Sequence, residues 1–287
     1  MSAARIAELS ERGVVAAGGP DARKFLNDLI TAEIGSADGG AVYGGLLTPQ
    51  GKILFDFIVF ADGDRFLFDL RRNLVADFIR RLGFYRLRAR VEIADLSGER
   101  SVLAAWGGAS APPVDGLVAA DPRLPALGFR AIVSKGAATA AGHEPAGEAD
   151  YHAHRIALGI PEGGKDFAFG EAYPHDADMD QLGGVDFDKG CYIGQEIVSR
   201  MEHRGTARRR FIIAEGKALT AGAEILAGER AIGTLGSTSG DVGLALVRLD
   251  RAREAMDAGV PIAAAGVPVA LTLPPWARFG WPATVEA

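Results

Sequence analysis

The sequence is poorest in cysteine: Cys191 is the single thiol in 287 residues. No disulfide can form within the chain, which fits a reducing compartment. The same count excludes a self-contained iron–sulfur cluster, which ordinarily takes four thiolates. Long apolar runs are also missing. ILFDFIVF is the longest and carries Asp56 in its middle, far short of the ~20 residues a membrane helix needs. The opening MSAARIAELSERGVVAAGG has no apolar core of signal-peptide length, and Glu8 and Glu11 interrupt it. Positive charge is not in excess either. With 31 Lys and Arg against 37 Asp and Glu the net charge is −6, so the field of the whole protein does not draw nucleic acid or an anionic membrane. These absences lead us to expect a cytoplasmic monomer with no membrane partner and no strong nucleic-acid binding.

What remains is ordinary globular material, 48% hydrophobic and 24% charged, of a length that suggests about two domains. PDARKFLNDLI (20–30) has helical spacing with Pro20 near its first turn. In residues 41–70 the PQG and ADGD turns cut an apolar stretch into three strands of a meander. RNLVADFIRRL (72–82) puts Leu74, Val75, Phe78, Ile79 and Leu82 on one helical face. ARVEIAD and RSVLAAW alternate as strands, GFRAIV (128–133) reads as another, and EADYHAHRIAL (148–158) as a helix. This mixture is α+β. Residues 159–184 have no period and read as a long functional loop or one wrapped on the surface. From about 216, short glycine-broken strands suggest a small β-barrel or sandwich.

Several motifs carry chemistry. In a strand over KILFDFIVF, Ile53, Phe55, Phe57 and Val59 share one face while Leu54, Asp56, Ile58 and Phe60 share the other. A carboxylate among such neighbours needs a partner, either as a structural acid beside an arginine or as a ligand-binding group. GIPEGGKD (159–166) imitates a phosphate loop, but Asp166 stands where Ser or Thr is required and a predicted helix precedes it; we reject that reading. His152 and His154, two apart on a helix, point to different sides, so no metal site is expected. The arginine runs at 80–90 and 200–210 are solvated faces or clamps for an anion. In KGCYIGQE (189–196) Cys191 lies between Gly190 and Gly194, ahead of a helix and two residues from Lys189. Both the lysine and the helix start favour a reactive thiolate.

KGCYIGQE, preceded by GGVDFD, resembles the signature of the YgfZ-type folate-binding proteins. These are paralogues of the glycine-cleavage T protein, an aminomethyltransferase, with a mitochondrial relative in iron–sulfur cluster assembly. PDARKFLNDLIT, LTPQGKILFDFIV, RLRARVEI, RIALGIPEG and IGTLGSTS…GLALVRL fall in the family's order, so the likeness covers nearly the whole chain. The resemblance implies a three-domain ring: two ferredoxin-like α+β units, one from residues 1–40 with 150–213 and one from 41–149, then a β-barrel over 214–287. It implies tetrahydrofolate, with or without a polyglutamate tail, held by Asp56, Tyr192, Gly194, Gln195, Glu196 and Arg200, with Cys191 and Lys189 as the chemically active pair. The family's pterin-gripping acid is replaced here by Ala157, which counts against aminomethyl transfer. The expected function is a folate-binding accessory protein in assembly or repair of iron–sulfur proteins. Its partners would be assembly proteins or client enzymes, and a cluster would be bound only if shared with one of them. A tetrahydrofolate-dependent one-carbon transferase and an RNA-modification-associated partner protein stay open as alternatives.

Overall fold

The computed structural model describes residues 3–283 apart from 109, 138 and 206. The chain divides into two compact units, Met1–Tyr151 with Leu182–Gln195, and His152–Gln181 with Glu196–Ala287. The α+β class and the barrel at the C-terminal end are as the sequence leads one to expect.

The first unit holds two five-stranded sheets. One runs Ala41–Leu47, Ile53–Asp62, Arg65–Arg71, Arg12–Gly18, Glu92–Asp95, all antiparallel. Period-2 alternation sorts its side chains. Phe55, Phe57 and Val59, with Phe66, Phe68 and Leu70 of the next strand, form one buried face. The helix Val75–Arg86 covers that face through Phe78, whose ring lies 5.2 Å from Phe55 and Phe68 and 5.4 Å from Phe57. The strand Arg12–Gly18 was not anticipated. RGVVAAG is almost wholly buried, so it lacks the polar alternation that marks a half-exposed strand. The second sheet runs Glu144–Pro145, Arg5–Glu8, Arg100–Trp106, Phe129–Ser134, Gly116–Ala120.

The other face of the first sheet is polar where apolar residues would be ordinary. Tyr43, Asp56 and Asp69 share it by register, since Gly45 stands opposite Asp56 and Ile58 opposite both Tyr43 and Asp69. Asp69 is wholly buried and receives Arg12 Nε at 2.5 Å. Arg130, on the second sheet and 2% exposed, brings its Nε within 3.7 Å of Asp69 and its Nη2 within 3.4 Å of Asp121. Arg123 grips Asp121 bidentately, at 2.9 and 2.6 Å, and both arginines donate to the Tyr151 hydroxyl. Burial pushes the Asp121 carboxyl up, but Arg123 and Arg130 together draw its pKa below the ordinary value. Three arginines thus meet Asp69 and Asp121, and with Asp56 on the same sheet face the buried acids equal the buried arginines in number.

The second unit contains a nearly closed barrel of seven strands. Their order is Val267–Pro268, Ile262–Ala264, Glu224–Ala227, Arg230–Ser239, Val242–Arg248, Arg209–Glu215, Ala270–Thr272. Leu249, Ala252 and Ala255 of the helix Leu249–Asp257, which the glycine-broken pattern had hidden, enter its core. Residues 159–181 do form a long irregular segment, but much of it is interior, not surface. Ala172 and every residue from Pro174 to Asp180 are buried. Arg210 makes this tenable. It donates to the His175 carbonyl and Asp180, at 2.9 Å each, and to Asp178 at 3.3 Å. Asp166 accepts from Arg155 and from the backbone N–H groups of Glu162 and Ser237, so it serves as a buried counterion and not as part of a phosphate loop.

Removing one partner of a buried pair leaves an uncompensated charge. Asp69→Ala should lower stability by about 3–5 kcal/mol in urea unfolding, against under about 1 kcal/mol for the exposed Asp77→Ala.

Candidate functional site

Residues 184–195 of the first unit form a loop clamped at three points. Asp186 sets the first: its Oδ1 accepts from the backbone N–H of Asp188 and Lys189, at 2.9 and 3.0 Å, while its own N–H donates to the Thr31 carbonyl. The Thr31 hydroxyl donates to the Gly184 carbonyl at 2.6 Å and accepts from Gly45 N–H at 2.8 Å, joining loop to sheet. Lys189 is the second clamp. Its ammonium donates to the carbonyls of Asn27, Ile30 and Ala32 at 2.8, 2.8 and 2.7 Å, all three of its N–H bonds. Gly194 is the third. Its φ is +82°, and a Cβ there would lie 2.6 Å from the Thr48 carbonyl oxygen, a position open only to glycine.

Between these anchors Tyr192 turns inward, 6% exposed, its ring 5.6 Å from the Lys189 ammonium. Burial, and then the charge of Asp186, push its hydroxyl pKa up to about 12. Burial pulls the Lys189 pKa down to about 8, with Glu33, Asp186 and Asp28 acting in the opposite sense. With Lys189 and Tyr192 both committed to the interior, the intervening Cys191 is left exposed and free. The helix begins at Gln195, so Cys191 precedes it by a full turn. Gln195 N–H donates to the Tyr192 carbonyl at 3.3 Å.

Asp56 is 5% exposed. Its charge is the second cause, after burial, of a Tyr43 hydroxyl held well above its ordinary pKa. Glu196 and Arg200 belong to the second unit and pair at 2.6 Å, both exposed. Ala157, exposed at the end of the helix Glu148–Ala157, presents only a methyl group. Sequence reasoning missed Thr31 and Asp186, although an Asp two residues before another polar residue is a recognisable turn former. In the second unit His175, Asp180 and Glu202 lie close enough together to share a cation. Arg210 already supplies a positive charge to Asp180 there, and the His175 Nε2 lies 3.0 Å from Glu202.

Two family models match the chain: the GCVT N-terminal domain over residues 1–168 and the C-terminal β-barrel domain of CAF17 over residues 208–279. The human mitochondrial iron-sulfur cluster assembly factor IBA57 is 30% identical across 96% of this chain and 84% of its own length. This chain belongs to the CAF17/IBA57 family. The IBA57 homolog of Mycosarcoma maydis is 32% identical over 226 residues, but the match covers 72% of this chain and only 56% of that protein. The IBA57 homolog of Neurospora crassa is likewise spanned over about half its length. Among solved structures, the glycine cleavage aminomethyltransferase T of Bartonella henselae superposes with a TM-score of 0.75, covering 96% of this chain and 87% of that one at 18% identity; this shows a shared GcvT-like fold. The names also correct one expectation. These IBA57 relatives are mitochondrial, which overturns the cytoplasmic location read from a cysteine count and an N-terminus without a signal-peptide core.

The clamp predicts a pH signature. The folded Lys189 pKa of about 8 lies below the ordinary 10.5, so between those values the unfolded chain holds a proton that the folded chain has released. This group therefore makes stability rise with pH across that window. Comparing wild type with Lys189→Met by urea unfolding at pH 7 and pH 10 should show that rise diminished in the variant. At pH 7 the variant, having orphaned three carbonyls, should be less stable by on the order of 2 kcal/mol.

Proposed function

We propose that this protein is a tetrahydrofolate-binding accessory factor for assembly or repair of iron–sulfur proteins, with Cys191 as its sulfur- or iron-handling group. The observation that carries the reading is the exposure of one free thiol on a loop anchored by the residues on either side of it. Such an arrangement presents sulfur to another molecule without disturbing the core. One thiolate supplies one ligand, so a cluster in transit would take its remaining ligands from a partner. The family membership, and the IBA57 relatives' being iron-sulfur cluster assembly factors, support the iron–sulfur context.

For folate, the residues fit in part. Asp56 offers a carboxylate on a polar sheet face beside Tyr43 and would meet the ring nitrogens, while the sequence carries Ala157 in place of the family's pterin-gripping acid. Bound there, tetrahydrofolate would supply a one-carbon carrier. Aminomethyl transfer is not part of this reading of the protein's role, since the acid it relies on in the T-protein family is replaced here by Ala157.

In cells lacking the protein, Cys191→Ser should fail to restore iron–sulfur enzyme activity while unfolding at the wild-type temperature; restoration equal to wild type would remove the thiol from the proposal. Calorimetric titration with tetrahydrofolate should show binding weakened about tenfold in Asp56→Asn, the loss expected of one hydrogen bond to a charged group. Absence of heat with the wild-type protein would overturn the folate half of the reading and leave the thiol half standing.

A further inference from the structure

The helix Val75–Arg86 has two very different sides. Val75, Phe78 and Leu82 are buried under the first sheet. Asp77, Arg80, Arg81 and Phe84 recur at three- and four-residue spacing and so share the outward side; the chain leaves that side through Leu87 and Arg88. Phe84 is 69% exposed and Leu87 88%, two of the three exposed large hydrophobic residues among those described.

Leu87 is unfavourable on two counts. Its φ is +43°, a region where a branched side chain is strained and glycine is not. Its side chain also lies almost wholly in water, so no packing within the unit offsets the strain. Strain without local compensation marks a residue whose use lies elsewhere.

The charges around it are one-sided. Five arginines and a single aspartate stand between positions 77 and 90, in a chain whose net charge is −6. Arg80 pairs with Asp77, Arg90 with Asp21, and Arg86 donates to the Val91 carbonyl. Arg81 and Arg88 make no hydrogen bond or ion pair among the described residues. A merely solvated face would mix acids and bases, as the exposed pairs Lys24–Asp28 and Arg253–Asp257 do.

We propose that this face docks an acidic partner protein, whose carboxylates take Arg81 and Arg88 and whose apolar surface covers Phe84 and Leu87. All the cations are arginines, whose planar fork suits paired carboxylates. Arginine beside an aromatic is the composition of protein–protein hot spots. An anionic bilayer is the weaker occupant, because a membrane-surface helix lays a whole apolar face into the lipid, whereas this helix has Val75, Phe78 and Leu82 buried under the sheet and leaves only Phe84 and Leu87 outside.

The test places p-benzoylphenylalanine at position 84 of the full chain in its native cells, followed by photocrosslinking and sequencing of the joined peptides. The expected adducts are protein peptides dense in Asp and Glu, with yield falling at least tenfold in Arg81→Glu/Arg88→Glu. Leu87→Gly should cut the yield severalfold while unfolding at the same or a higher temperature, since glycine relieves the strained φ; a purely structural leucine would give the opposite pair of results. Adducts with phospholipid, adducts indifferent to charge reversal, or yields no greater than from a probe at exposed Lys24 would each overturn the proposal.

Discussion

The buried exchange of charge between the two sheets of the first unit is the constraint on which the rest of that unit depends. Arg12, Arg123 and Arg130 are each less than a tenth exposed, and so are Asp56, Asp69 and Asp121. Isolated, any one of them would be expensive to bury. Together they fix which sheet faces pack, because a one-residue slip in the Ile53–Asp62 or Arg65–Arg71 strand would swing its aspartate to the phenylalanine face. The network therefore enforces register as well as cohesion. Asp56 lies on the same buried sheet face as Asp69, one register position from it, with its Oδ1 buried and holding no hydrogen bond. A buried acid in this family need not be explained by catalysis alone.

The loop carrying Cys191 uses the same physics on a smaller scale. Lys189 gives all three of its N–H bonds to backbone carbonyls of the first unit. It holds the loop down, and Tyr192 fills the space beneath. The thiol's exposure follows from its neighbours' burial.

Much of this was legible beforehand, and the reasons are specific. The meander over 41–71 announced itself through two turns and alternating phenylalanines, and the helix from Val75 through its 3.6-residue period. The strand Arg12–Gly18 did not, because burial on both faces erases alternation. Nor did the interior path of residues 172–180, where burial depends on Arg210, thirty residues further on. KGCYIGQE was conspicuous as a motif, yet the sequence alone placed Lys189 beside the thiol as an electrostatic helper. Only the structure shows that its ammonium also anchors the loop, on the carbonyls of Asn27, Ile30 and Ala32, more than 150 residues distant in sequence. Short-range patterns foretold elements; long-range ion pairs decided what those elements do.

Exposure and rigidity at Cys191 bear jointly on how a single thiol could serve cluster chemistry. A thiolate on a mobile loop would have to be ordered each time it met iron, and ordering a dozen residues opposes binding strongly. Here Asp186, Lys189 and Gly194 have already fixed the backbone, so that entropic loss is taken at folding and not at the encounter. On the proposed reading this arrangement favours brief, repeatable contact over retention, since one ligand holds a cluster weakly and releases it readily. Storage would call for several thiolates in a closed pocket. If Cys191 handles iron or sulfur as proposed, a lone cysteine pinned in the open suits handing on more than holding.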